Sequence, residues 1–206
     1  MVKKIQLKLI VLGDKYCGKS SILNRYKNNE FSESGSSTIG VDFFNIPINK
    51  NDVNYTLHIW DTSGQEKFNS IITSYYRNIA VAILVFDLSR NETFNNISKW
   101  LDNIKHYCQK NTIIKLIGNK CDIPSVITMH EINKLCIEYN IIYLEVSAKL
   151  NHNIETIFTT IIEEIDDKLN NCILVPNNNN GIILSDSFDM EVKNLSKNKS
   201  NCCIIL

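Results

Sequence analysis

Residues 9–22 read LIVLGDKYCGKSSI, an apolar run that stops at Gly13 and resumes at Ile22. Gly13 and Gly18 bracket a short loop, and Lys19, Ser20 and Ser21 follow directly. Glycines at both ends let the backbone turn until successive N–H groups converge on an anion. A lysine behind the second glycine adds a point charge for outer phosphates, and a serine hydroxyl there can ligate Mg²⁺. Such a loop needs a strand leading in and a helix leading out. Residues 8–12 (KLIVL) read as that strand and residues 20–27 as that helix.

The rest of the chain repeats the pattern. AVAILVFD (80–87), IIKLIGN (113–119) and IIYLEVS (141–147) are short aliphatic runs suited to strands buried on both faces of a parallel sheet. Helices are expected over residues 20–27, 93–109, 129–139 and 153–169. In the last, Ile154, Ile157, Phe158, Ile161, Ile162, Ile165 and Leu169 fall on one face at three- and four-residue steps. A hairpin fits VDFFNIPINK and NDVNYTLHIWD, joined near Asn51 and Asp52. Strand and helix in alternation predict an α/β doubly wound fold of the P-loop NTPase type: a mostly parallel, six-stranded sheet with helices on both faces. Ligands are expected at the carboxyl ends of its strands. Residues 1–170 form this domain. Residues 171–206, with PNNNNG and a Ser, Asn and Lys rich stretch, carry too few apolar side chains for a core and read as a mobile tail.

Composition excludes several classes. The 206 residues include 22 basic and 22 acidic side chains, so no charge excess points to nucleic acid. The 7 cysteines are odd in number and lie in apolar segments, as Cys17, Cys108, Cys121 and Cys136 show, which suits reduced thiols. Lys3, Lys4 and Lys8 interrupt any apolar leader, and no run reaches a membrane span.

WDTSGQEKF (60–68), NKCD (119–122) and SAK (147–149), in this order after the loop at 13–20, resemble the small GTPases of the Ras superfamily. The resemblance implies binding of GTP and GDP with Mg²⁺ as cofactor, and hydrolysis of GTP. Gly13, Lys15, Tyr16, Cys17, Gly18, Lys19, Ser20 and Ser21 would surround the phosphates. Ser20, Thr38 and Asp61 would hold Mg²⁺, Asp61 through water. Gly64 would offer its N–H to the γ-phosphate, and Gln65 would orient the attacking water. Asn119, Lys120 and Asp122 would select guanine, whose ring N–H and amino group a carboxylate can accept and adenine cannot match. Ser147, Ala148 and Lys149 would add a backbone donor for the guanine oxygen and an aliphatic stem on the ring. Phe31 would set an aromatic edge against the base, and Thr38 lies in a segment similar to the first switch, released when the γ-phosphate is lost.

TIGVDFF, SYYRNI and LVFDLS are similar to Rab signatures, and the resemblance covers residues 5–169. It implies vesicle and membrane trafficking, with Phe43, Trp60 and Tyr75 as an aromatic triad shown to effectors. An exchange factor, a GTPase-activating protein and a GDP-dissociation inhibitor are the expected regulators. The ending CCIIL suits geranylgeranyl groups on Cys202 and Cys203, two chains anchoring stably where one does not. The expected location is the cytosolic face of an intracellular membrane, with a soluble cytosolic pool. Lys15 and Tyr16 depart from the family, which has small residues there, as do Gly35 and Ser63. Lys15 could add charge beside the γ-phosphate or crowd the attacking water. A constitutive guanine-nucleotide binding module is the alternative; a P-loop kinase or ATPase fits Asn119, Lys120 and Asp122 poorly.

Overall fold

The computed structural model describes residues 3–33, 37–50, 52–65, 72–171, 176 and 180–184. In chain order the elements are β1 (Lys3–Leu12), α1 (Lys19–Asn28), β2 (Val41–Lys50), β3 (Val53–Thr62), a 3₁₀ turn (Thr73–Tyr76), β4 (Val81–Asp87) and α2 (Asn91–Asn95). They continue with α3 (Ile97–Tyr107), β5 (Ile113–Asn119), α4 (Met129–Tyr139), β6 (Ile142–Glu145), α5 (Ile154–Asn170) and β7 (Ile182–Leu184).

One sheet carries them in the order β2-β3-β1-β4-β5-β6, with β7 on the free edge of β1. β1 runs parallel to β3 and to β4, β4 to β5 and β5 to β6; only the β2–β3 hairpin and β7 run antiparallel. Successive side chains of a strand point to opposite faces, and β1 divides its residues accordingly. Leu7, Leu9 and Val11 join a core with α1 and α5, whereas Ile10 and Leu12 join a second core with α3 and α4. The stripe expected on α5 is buried there from Ile154 to Ile165, and Phe158 stacks on Tyr26 of α1 at 3.8 Å between ring centroids. The predicted doubly wound, mostly parallel sheet with helices on both faces is therefore what forms.

Three features differ from the sequence expectation. β1 begins at Lys3, not residue 8, because KKIQL alternates exposed and buried side chains while its apolar content is low. The helix expected over 93–109 is two helices, broken at Asn96, whose ψ is −8° and whose side-chain amide reaches across to Asp14. The third concerns the expected core-less tail: Ile182–Leu184 forms a seventh strand, and Ile182 is buried in the main core. The short apolar run GIIL carries little weight in the sequence because the polar residues around it dominate the composition.

Candidate functional site

The chain order reverses at β1, and a crevice opens there at the carboxyl ends of the strands. Residues 13–18 leave β1 at this point and enter α1, with Gly13 and Gly18 at positive φ. The cleft, of about 1010 Å³, is lined by Lys15, Tyr16, Gly18, Lys19, Ser20 and Ser21 from the loop. Phe31, Thr38, Gly64, Gln65, Asn119, Lys120, Asp122, Ala148 and Lys149 close it from the other segments. Segments far apart in the chain thus converge as the motif order requires.

The loop is held from several sides. The buried Lys19 ammonium donates to the carbonyls of Gly13 and Asp14, both at 2.9 Å. Cys17 is buried beneath it and donates its thiol to Asp14 O at 3.0 Å; burial pushes that thiol's pKa up. The Asp14 carboxylate accepts from Asn96 Nδ2 at 2.7 Å and Trp100 Nε1 at 3.0 Å, which clamps the loop to α3. Gly64 lies flat on the loop, since a Cβ there would come within 2.2 Å of Asp14 C and 2.3 Å of Lys15 N.

Ser20, Thr38 and Asp61 meet beneath the loop. Ser20 Oγ and Thr38 Oγ1 are 2.8 Å apart, and Ser20 donates to Asp61 Oδ2, to which Thr38 Oγ1 also points at 3.5 Å. Asp61 is fully buried and its Oδ1 has no hydrogen-bond partner. Burial raises its pKa to about 6, opposed by the Ser20 hydroxyl and the Lys19 charge. Gln65 Nε2 lies 3.5 Å from Ser37 Oγ, beside Thr38.

At the far end of the cleft the side chains and loops hold one another. Asn119 does not offer its amide to a ligand: Nδ2 donates to Cys17 O at 2.9 Å, and Oδ1 accepts from Ala148 N at 3.2 Å. It is a buried staple joining three loops, and it engages Ala148 N–H. Ser147 Oγ donates to Asp122 Oδ1 at 2.5 Å and orients that carboxylate. Lys149 reaches across the mouth to Glu33 at 2.6 Å. Phe31 packs at the edge with the Arg25 guanidinium 5.8 Å from its ring centre.

Sequence reasoning missed the groups that hold this frame. The buried Asp87 carboxylate accepts from Lys120 Nζ at 2.6 Å, Arg90 Nε at 3.0 Å and the Ser89 amide and hydroxyl. Burial alone would raise its pKa; the Lys120 and Ser89 contacts outweigh that and lower it. Arg90 Nη2 then donates to Lys15 O at 3.0 Å, so one carboxylate couples the NKCD loop to the phosphate loop. Arg25 donates to Ala148 O and Lys149 O. An acidic residue closing a fully apolar strand, followed by Ser and Arg, was the signal for Asp87.

Phe43, Trp60 and Tyr75 form one row on the sheet surface, with centroids 5.1 Å and 6.2 Å apart. Gly35, Cys202 and Cys203 lie outside the described residues. Among the described residues no helix is long and apolar enough to cross a membrane.

The sequence is similar to those of known proteins. A sequence profile described as Ras family matches residues 8–167. The chain is 41% identical over 165 residues to Ras-related protein Rab-1 of Theileria parva, covering 79% of this chain and 75% of that one. It is 37% identical over 164 residues to Ras-related protein Rab-3 of Caenorhabditis elegans, with 79% and 75% covered. With Ras-related protein Rab11A of Lotus japonicus the identity is 35% over 176 residues, covering 84% and 78%. Matched over most of its length, and with its motif residues gathered around one cleft, the chain belongs to the Ras family as a Rab-like small GTPase.

Proposed function

We propose that this cleft binds guanine nucleotide with Mg²⁺ and hydrolyses GTP through Gln65, and that the GTP form recruits effectors through Phe43, Trp60 and Tyr75. The observation that carries the reading is the oxygen cluster under the phosphate loop. Two hydroxyls and a buried carboxylate converge there, and Asp61 Oδ1 is left without a partner. A hard divalent cation suits hydroxyl and carboxylate oxygens, so the residues present fit Mg²⁺, which when bound would neutralise phosphate charge. Lys19 would leave its two carbonyl partners for the outer phosphates, and the N–H groups of residues 13–21 would wrap them. Gln65 would hold the attacking water in line with the γ-phosphate, and Asp122, oriented by Ser147, would accept from guanine. Loss of the γ-phosphate would release Thr38 and with it the first switch.

By the same reading Cys202 and Cys203 carry geranylgeranyl groups, and the protein alternates between a membrane's cytosolic face and a soluble pool. An exchange factor, an activating protein and a dissociation inhibitor would govern that cycle. Mass spectrometry of the C-terminal peptide from eukaryotic cells tests the lipids; an unmodified peptide refutes them.

A second reading is favoured by Lys15 and Tyr16, which stand exposed at the loop's rim, with the Lys15 backbone against Gly64. There they would exclude the attacking water and leave a nucleotide-bound adaptor. Single-turnover hydrolysis with Mg²⁺ separates the two. Wild type is expected to turn over slowly, Lys15→Ser severalfold faster, and Gln65→Leu at least ~10-fold slower. GTP that stays intact in all three establishes the adaptor.

A further inference from the structure

β1 is longer than its neighbour. It pairs with β4 only from Leu9 onward, so its lower half would present an unpaired edge on that side. β7 occupies that gap. Ile182, Ile183 and Leu184 pair antiparallel with Leu7, Gln6 and Ile5. Lys8 N–H donates to Gly181 O at 2.8 Å, and Lys8 O accepts from Ala80 N at 2.8 Å, so β7 continues the line of β4 below its first residue.

The slot is shaped for this segment. Gly181 has φ +71°, and a Cβ on it would come within 2.4 Å of Asn78 O and 2.7 Å of Ala80 N. No other residue fits against that turn without moving backbone. Asn180 Oδ1 accepts from Ile182 N at 3.3 Å and turns the chain into the strand. Ile182 then enters the core at 1% exposure, Leu184 packs half-buried on the same side, and Ile183 faces out at 40%. Alternation, edge pairing and a glycine-only contact are independent observations, and they agree.

We propose that residues 180–184 are an intramolecular clasp for the tail, docking reversibly in a strand slot at the foot of β1, at the pole opposite the nucleotide cleft. Three paired residues are too few to hold alone. Covalent attachment to α5 through a short connection makes the loss of freedom on docking small, so the clasp closes by tethering. Docking divides the tail at residues 180–184. Resting on the lipid reading above, it also sets reach: at about 3.4 Å per residue, Cys202 can lie about 110 Å from the end of α5 undocked, and about 60 Å from Leu184 docked.

The test is amide hydrogen exchange on the full-length protein loaded with GDP, comparing wild type, Gly181→Val and Ile182→Ser. The Lys8 amide reports the clasp, and Ile117, in the middle of β5, reports global stability. Wild type is expected to protect Lys8. Each variant should speed exchange there by about tenfold or more, with Ile117, which stays the slower of the two, sped by no more than the same factor and GDP affinity unchanged. Free exchange at Lys8 in wild type, exchange there as slow as at Ile117, or equal protection in all three, overturns the reversible clasp. GDP affinity and GTP turnover are measured on the same samples, so loss of the switch and loss of the clasp are read separately.

Discussion

Tyr16 holds a left-handed backbone conformation, φ 64°, with its ring more than half exposed. An L-residue pays about 1–2 kcal/mol for that conformation, and glycine avoids most of it while losing more freedom on folding. Tyr16→Gly is therefore expected to stabilise the fold by about 1 kcal/mol, seen as a rise of about 3 °C in thermal midpoint. A drop in the midpoint would show that the ring contributes packing. Asp61 gives a second test. Its raised pKa, about 6, means that a proton competes with the cation below that pH and is absent above it. Mg²⁺ affinity is expected to be flat above pH 7 and to fall roughly tenfold per unit below about 6, as titration calorimetry would show. A profile flat down to pH 4 excludes Asp61 from the site. At this scale the motif residues were legible because the chemistry of phosphate and guanine leaves few alternatives. The second role of Asn119 was not, since bridging Cys17 and Ala148 depends on loops that only the fold brings together.

Between elements, the Lys115 ammonium is buried on β5 and pairs with Glu164 of α5 at 2.8 Å, while Lys168 holds the other Glu164 oxygen. Burial alone would raise the Glu164 pKa, but the two lysines outweigh it and lower it. A lowered carboxylate stabilises the fold above its unfolded pKa, and that stability is lost as pH falls through the lower folded value. Glu164→Gln strands the buried ammonium and is expected to cost about 2 kcal/mol, less than for a wholly dry pair because Glu164 meets solvent. Urea unfolding at pH 7 checks this, and an unchanged midpoint would mean that Lys115 finds water instead. The sheet and α4 and α5 could be read from the sequence because burial on both faces, or along one stripe, leaves a period in the apolar residues. The lower half of β1 carries only a sparse alternation of Ile5 and Leu7 among polar residues, and the break at Asn96 and β7 are each decided by a partner distant in sequence.

Across the whole molecule, the cleft is closed by segments from both ends of the domain. Glu33, next to the first switch, meets Lys149 of the SAK loop over the mouth. Each partner shifts the other's titration toward the charged form. Both are exposed, so the contact is weak and screened by salt. Release of a fluorescent GDP analogue is expected to be about two- to fivefold faster in Glu33→Gln at low salt, and the two proteins should converge near 1 M salt. Equal rates at low salt would show that the pair guards nothing.

The antiparallel setting of β7 on β1 has a mechanical side. Leu184 lies beside Ile5 and Gly181 beside Lys8, so traction on the arm along the strand axis, away from the cleft, loads every bond of the pair together, in shear. Traction at right angles opens the pair from Leu184 inward, one bond after another, at far smaller force. An anchored molecule would hold its attachment when stretched from its anchor and surrender it when tipped sideways.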